Sequence, residues 1–218
     1  EGYSFYDNYP GIRNSIKWIT YNFVPSGNSA TNDFNNAWMD TGSVSPLRLH
    51  NTYHDWLTSK RAGTEESKLA RWIWAHVYGE KASYDIRSDH SDDMSTILWY
   101  DSSVALENPG NYLDNTGYFD HGGWYVYRTG WQDEVESDDV MFEFYSGKFF
   151  GGHNQEDKNQ FTMYEGDSLF FTDSGPASDS LYYPTEYHNL ILIDGEGQVS
   201  QTSNCGSDGN ITNYFYSS

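Results

Sequence analysis

From residue 124 the chain reads Trp124-Tyr125-Val126-Tyr127-Arg128-Thr129. Successive side chains of an extended strand point to opposite faces of a sheet, so this alternation predicts a β-strand. The same period of two continues in four later runs with turn residues between them, at 140–145, 160–165, 168–173 and 188–194. Several short strands at this spacing predict an antiparallel β-sandwich.

The chain before residue 112 follows a helical period instead. Apolar side chains recur at intervals of three and four in Ile12, Ile16, Ile19 and Phe23, which predicts one buried stripe on a helix. Two further helices are expected to begin at Pro46 and at Ser91.

The clearest helix is predicted for residues 64–78. Thr64 has the side chain of an N-cap, and Gly79 ends the helix. Its buried stripe is expected to contain Leu69, Trp72, Ile73, His76 and Val77. Helices first and strands second predict an α+β protein, with a helical domain over 1–112 and a sheet domain over 113–218.

The charge balance excludes one class of partner. The chain has 12 Lys and Arg against 32 Asp and Glu, for a net charge of -20, so it lacks the basic surface on which nucleic-acid binding depends. No apolar run is long enough for a membrane span. Aromatic residues make up 18% of the chain, which suits sugar-stacking surfaces as well as ordinary cores.

One stretch of the sheet half concentrates groups that could do chemistry: Gly151-Gly152-His153-Asn154-Gln155-Glu156-Asp157-Lys158-Asn159-Gln160-Phe161. Two glycines allow the backbone before His153 to approach a ligand closely, and histidine can accept a proton near neutral pH. A surface hairpin turn that contains a histidine is the alternative interpretation. Asp173 and His188 could share a metal ion with Gln155, although Asp-Ser-Gly is also a common turn and His-Asn a common strand start.

The helical half offers phenols at its start, in Glu1-Gly2-Tyr3-Ser4-Phe5-Tyr6-Asp7-Asn8-Tyr9. A phenol whose pKa is lowered by its neighbours can pass a proton in either direction. A packed aromatic side chain without a chemical role is the alternative for each of them.

Four segments occur in an order that resembles the heparinase II/III-like polysaccharide lyases: Trp124–Trp131, Gly152–Phe161, Asp173–Gly175, and His188–Asn189 with Ile193–Gln198. The opening Glu1–Tyr6 is similar to that family's Glu-Gly-x-x-x-Tyr element, so the resemblance covers Glu1 to about Gln198. It implies an N-terminal (α/α) toroid followed by an antiparallel β-sandwich, with the active site in the cleft between them. It also implies cleavage of uronic-acid-containing polysaccharides by β-elimination.

The resemblance assigns roles to particular residues. His153 would be the catalytic histidine of the sandwich and Tyr6 the catalytic tyrosine of the toroid, with Tyr3 or Tyr9 in that role if the register differs. The expected substrate-binding residues are Tyr3, Tyr9, Arg128, Asn154 and Asp157. In the family an Asn or His from earlier in the toroid neutralises the uronate carboxylate, and this sequence has no counterpart for it.

The resemblance further implies a zinc site in the sandwich and no organic cofactor. Asp173 and His188 match its ligands, while Gln155 stands where the family often has a histidine. A full toroid needs more helices than residues 1–112 can supply, so we expect the chain to be part of a longer enzyme and the rest of that enzyme to be its partner.

The expected substrate is an anionic polysaccharide. The enzyme is expected to be bacterial and either secreted or periplasmic. The acidic balance favours alginate or ulvan, and glycosaminoglycans stay open. A polyanion conflicts with the net charge of -20, which makes Arg128, Lys148 and Lys158 candidates for a local cationic cluster.

Two other functions fit parts of the sequence. A non-catalytic carbohydrate-binding β-sandwich would explain the aromatic residues and the strands, but not the loop histidine together with the N-terminal tyrosines. A glycosidase needs two carboxylates that face each other across a cleft, and Glu156 and Asp157 are adjacent in sequence.

Overall fold

The computed structural model describes residues 5–23, 61–78, 101–131, 137–148, 155–166, 168–171, 184–198 and 208–214. The helices of this part are α1 (Phe5–Asn8), α2 (Pro10–Tyr21) and α3 (Glu65–Tyr78). The strands are β1 (Thr116–Phe119), β2 (Trp124–Arg128), β3 (Val140–Tyr145), β4 (Gln160–Glu165) and β5 (Ser168–Phe171). Helices precede strands, as the α+β prediction requires. The described residues up to Leu113 form one compact unit, and those from Asp114 form another.

In the first unit α2 and α3 pack together through the predicted stripes. Ile16 and Ile19 of α2 are buried, as are Leu69 and Ile73 of α3. The ring of Trp72 on α3 lies 4.8 Å from the ring of Phe23, measured between centroids. Ile12, predicted to continue the stripe of α2, lies in the first turn of that helix and is exposed.

The predicted N-cap of α3 is confirmed. The Thr64 hydroxyl accepts a hydrogen bond of 3.2 Å from the backbone N–H of Ser67, which satisfies one of the free donors of the first turn. Glu65 in the same turn forms an ion pair of 2.6 Å with Lys17 of α2. The helices predicted from Pro46 and from Ser91, and the side chains of His76 and Val77, lie outside the described residues. Within the described part, no helix is long and apolar enough to cross a membrane.

The second unit is built on one antiparallel sheet with the strand order β1-β2-β3-β4-β5. Strands β2 to β5 confirm the prediction from the alternating runs, whereas β1 was not predicted. The prediction of a strand at 188–194 is wrong. A 3-10 turn at Thr185–Tyr187 precedes that segment, and its end folds into a tight turn with a bridge between Ile193 and Glu196. Phe161 N–H of β4 donates to the carbonyl of Asn189, but the segment forms no strand of the described sheet.

The two faces of the sheet differ in an unexpected way. The more buried face mixes apolar and polar side chains: Trp124, Val126, Arg128, Met141, Glu143, Tyr145, Gln160, Thr162 and Tyr164. The more exposed face is largely aromatic: Tyr118, Tyr125, Tyr127, Phe142, Phe144, Phe161, Met163 and Phe171. Tyr214 covers one end of this second face, since its ring centroid lies 4.4 Å from that of Tyr118.

Candidate functional site

The loop between β3 and β4 contains the predicted catalytic histidine. His153 and Asn154 themselves lie outside the described residues, but both ends of the loop are described. The Asn159 N–H donates to the carbonyl of Tyr145 at 2.8 Å, and the Ser146 hydroxyl donates to the Asn159 side-chain oxygen at 2.8 Å. Asn159 has a φ of 68°, a left-handed conformation that asparagine tolerates better than most residues. The base of the loop is therefore closed by hydrogen bonds.

A buried charged cluster lies beneath the end of this loop. Lys158 Nζ lies 3.0 Å from Asp157 Oδ1 and donates to the hydroxyl of Tyr145, also at 3.0 Å. Gln160 donates to the second carboxylate oxygen of Asp157 at 3.3 Å. Asp157 is 0% exposed and Lys158 2% exposed. Asp157, predicted to bind substrate, is thus enclosed and already paired in this structure.

A second set of contacts holds the same stretch of backbone. The side-chain amide of Gln198 accepts a hydrogen bond from Lys158 N–H at 3.1 Å and donates one to Lys158 C=O at 2.6 Å. The backbone N–H of Gln198 donates to the hydroxyl of Thr185 at 2.7 Å. That hydroxyl in turn donates to the carboxylate of Glu156 at 3.3 Å. We call residues 185–198 the clasp segment.

The His188-Asn189 motif belongs to the clasp segment as well. The Phe161 N–H donates to the carbonyl of Asn189 at 3.1 Å, and the His188 N–H donates to the carbonyl of Thr185 at 3.1 Å. His188 is buried. The motif therefore lies against the start of β4, beside the chain that leads out of the histidine loop.

The three predicted zinc ligands fit a metal site only in part. Gln155 is buried, and its side-chain oxygen accepts no hydrogen bond from any described residue. His188 is buried too, whereas Asp173 lies outside the described residues. No group of three or more His, Cys, Asp or Glu that could hold a metal occurs in the described part of the chain. An amide oxygen is in addition a less usual zinc ligand than a nitrogen, a thiolate or a carboxylate.

Arg128, the other predicted substrate-binding residue of the sheet, is 1% exposed. Its guanidinium carbon lies 4.6 Å from the centroid of the Trp131 ring, and its Nη1 donates to the sulfur of Met141 at 3.1 Å. Of the three candidate cations, Arg128 and Lys158 are enclosed, and Lys148 lies at the surface.

Glu143 and Tyr164 also lie on the buried face of the sheet. The carboxylate of Glu143 accepts a hydrogen bond of 2.9 Å from the Thr162 hydroxyl. Burial, and then the negative charge of Glu143, raise the pKa of Tyr164 well above its ordinary value. This phenol therefore keeps its proton at neutral pH and does not act as a base there.

The N-terminal tyrosines differ in exposure. Tyr6 is 7% exposed, and the guanidinium carbon of Arg61 lies 4.3 Å from the centroid of its ring. Arg61 is held there by an ion pair of 2.8 Å with Asp7. Tyr9, just before α2, is 47% exposed. Tyr3 lies outside the described residues.

The contacts of Arg61 with Tyr6 and of Gln198 with Lys158 were not predicted from the sequence. Arg61 lies 55 positions after Tyr6 in the chain, so no local sequence pattern connects them. Gln198 entered the sequence analysis only as the last residue of a motif. Its side-chain bonds to the N–H and C=O of Lys158 leave no periodic pattern in the sequence.

Comparisons with known proteins give a fold. No protein-family model matches this chain, and no curated protein matches it. The chain is similar to a crystal structure of heparinase III, with a TM-score of 0.58 and 17% identity, over 88% of this chain and 27% of that one. A second heparinase III structure, with methylated lysines, has a TM-score of 0.47 and 17% identity over 79% of this chain and 23% of its own. The first match supports a heparinase-like fold, and this chain spans about a quarter of that protein's length.

Proposed function

We propose that this chain is part of a polysaccharide lyase that cleaves a uronic-acid-containing anionic polysaccharide by β-elimination. The observation that carries the proposal is the similarity to heparinase III over 88% of the chain. The order of the motifs from Trp124 to Gln198, with a histidine in the loop between β3 and β4, supports it. The activity is our inference, because the identity of 17% supports the fold alone.

The proposed reaction needs three groups. Neutralising the uronate carboxylate makes the neighbouring C5 proton acidic. A base removes this proton, the bond between C4 and O4 breaks, a C4–C5 double bond forms, and an acid protonates the departing O4. We assign the acid and base roles to His153 and an N-terminal tyrosine, and such groups each accelerate a reaction by about 10²–10⁴-fold.

Exposure favours one of the two described phenols. The hydroxyl of Tyr6 is buried and its ring lies under Arg61, whereas Tyr9 is 47% exposed. We therefore propose that Tyr9 supplies the reacting hydroxyl and that Tyr6 packs behind it. In the same proposal Tyr3 and Asn154 contact the sugar. Arg128 and Asp157, which are buried, stabilise the sheet domain and do not touch the sugar.

The reaction is tested by following the ultraviolet absorbance of the unsaturated uronate product. The full-length protein would be incubated with alginate, ulvan and heparan sulfate, together with the variants His153→Ala, Tyr9→Phe and Tyr6→Phe. We expect His153→Ala and Tyr9→Phe to lose turnover while the polysaccharide still binds. The matched control is His121→Ala, because His121 is fully exposed and has no assigned role.

Two results would contradict this proposal. Unchanged turnover in His153→Ala would move the chemistry to another site. New reducing ends without the absorbance of an unsaturated product would indicate hydrolysis instead of elimination.

We also propose that Asp173, His188 and the oxygen of Gln155 would hold a zinc ion. When bound, the ion would cross-link the clasp segment to the histidine loop and would take no part in proton transfer. Metal analysis of the purified protein tests this, and we expect about one zinc per chain in the wild type and less in His188→Ala. Equal zinc in both would contradict it.

A second candidate function is carbohydrate binding without catalysis. The half-exposed aromatic face of the sheet favours it, with Tyr127 40% exposed and Phe171 47% exposed, because aromatic rings stack on sugars. Binding of a neutral glucan that Tyr127→Ala weakens, without any product, would support this candidate over the lyase.

A further inference from the structure

The segment Ile193–Gln198 takes no part in the proposed chemistry, but two of its residues have left-handed backbone conformations. Asp194 and Gly195 have φ angles of 56° and 75°, so the chain reverses direction within two residues. Gly197 then lies close to Thr185, since a Cβ atom at Gly197 would be 3.1 Å from Thr185 Cβ. The turn and this close approach bring Gln198 against the backbone of Lys158.

Gln198 binds that backbone in the way a neighbouring strand would. One amide group satisfies both the N–H and the C=O of Lys158, at 3.1 Å and 2.6 Å. Lys158 is 2% exposed, so its backbone N–H and C=O would destabilise the folded state if they had no hydrogen-bond partner. The bond from Gln198 N–H to Thr185 fixes Gln198 from its own side.

The held residue connects the two ends of the histidine loop. Lys158 lies five positions after His153, and its side chain donates to Tyr145, the last residue before the loop. Contacts therefore run from Gln198 through Lys158 to Tyr145. These contacts fix the backbone at the described C-terminal end of the loop, and precise placement of a catalytic group depends on such support from its surroundings.

We propose that Gln198 is a positioning residue for His153, a role that rests on the proposed lyase function. Gln198 touches no substrate in this proposal. It acts by holding the backbone of Lys158, five positions after His153 in the same loop.

The test is Gln198→Met in the full-length protein, since methionine keeps the length of the side chain and removes both hydrogen bonds. We expect kcat to fall roughly 10- to 100-fold with KM within about twofold, because a shift of about 1 Å at a catalytic group has an effect of this size. Hydrogen exchange at the Lys158 amide should become faster. Thr185→Val, which removes only the supporting hydroxyl, should reduce kcat less.

Glu196→Gln is the matched control, because Glu196 lies in the same turn with an exposed side chain. It should leave kcat and the exchange of Lys158 unchanged. The proposal is overturned if His153→Ala is inactive but Gln198→Met keeps full kcat, or if kcat and the urea midpoint of unfolding fall together in Gln198→Met and Glu196→Gln alike. Absence of lyase product in the wild type would instead show that the proposed function itself is wrong, and the positioning role would fall with it.

Discussion

Asp157 and Lys158 are neighbours in sequence and both are buried. Their opposite charges form an ion pair of 3.0 Å. Replacing Lys158 by Met would leave a carboxylate that is 0% exposed without its cation. We expect this change to lower the free energy of unfolding by about 3–5 kcal/mol, the usual cost of breaking a buried pair. Urea unfolding measures it.

The double variant Asp157→Asn with Lys158→Met is the control for that prediction. Because it removes both charges, it should be less destabilised than Lys158→Met alone. Equal or greater destabilisation of the double variant would show that the pair is not what stabilises this part of the sheet.

Tyr164 predicts a dependence of stability on alkaline pH. Its folded pKa is raised above the ordinary value of 10.0 by burial and by Glu143. Its contribution is therefore complete below about pH 10 and is lost as the pH rises, since the unfolded chain releases the phenol proton first. Urea midpoints at about pH 9 and about pH 11 should differ less in Tyr164→Phe and in Glu143→Gln than in the wild type. An equal decline in all three proteins would assign the effect to other groups.

At the scale of elements, the hairpin between β1 and β2 depends on one glycine. Gly123 has a φ of 67°, and a Cβ atom there would lie 2.3 Å from the Cα of Gly147. Gly195 has a similar φ of 75°, but no atom lies within 4 Å of its Cβ position. We expect Gly195→Ala to cost about 1–2 kcal/mol for the left-handed backbone alone, and Gly123→Ala to cost about 1–3 kcal/mol more for the overlap. Similar urea midpoints of the two variants would contradict this.

The strands and helices that sequence predicted are those whose side-chain period is long and regular. Alternation identified β2 and β3, and it also placed Arg128 and Glu143 on definite faces. It failed at 188–194, where Ile191 and Ile193 are 86% and 77% exposed. Alternating apolar residues form a strand only if a neighbouring backbone offers hydrogen bonds along the whole run. Here β4 contacts the segment at Asn189, through the N–H of Phe161, and the turn at Asp194 then ends the segment.

The candidate site could be predicted less completely than the fold. Pattern and resemblance singled out His153, which remains a prediction because it lies outside the described residues. Burial could not be predicted for Asp157 or Arg128, because the contacts of Arg128 with Met141 and of Lys158 with Tyr145 each join residues 13 positions apart and form only when the sheet is assembled. Contacts between distant segments, such as Gln198 with Lys158, follow from the folded chain and from no local pattern.

At the scale of the whole molecule, charge repulsion opposes the compact state. The chain carries a net charge of -20, and two cations of the described helices are already engaged with acids, in Lys17–Glu65 and Lys68–Glu107. Screening weakens the remaining repulsion, because the Debye length falls from about 30 Å at 0.01 M salt to about 8 Å at 0.15 M. We therefore expect the urea midpoint of this chain to rise over that range of NaCl.

The same rise is expected with KCl, because screening does not distinguish monovalent ions. A midpoint that falls with salt would mean that the exposed ion pairs outweigh the repulsion, although such pairs usually contribute little. A midpoint that responds to one cation alone, at far lower concentration, would instead indicate a specific cation site. The salt series therefore separates a property of the total charge from a property of a few acidic side chains.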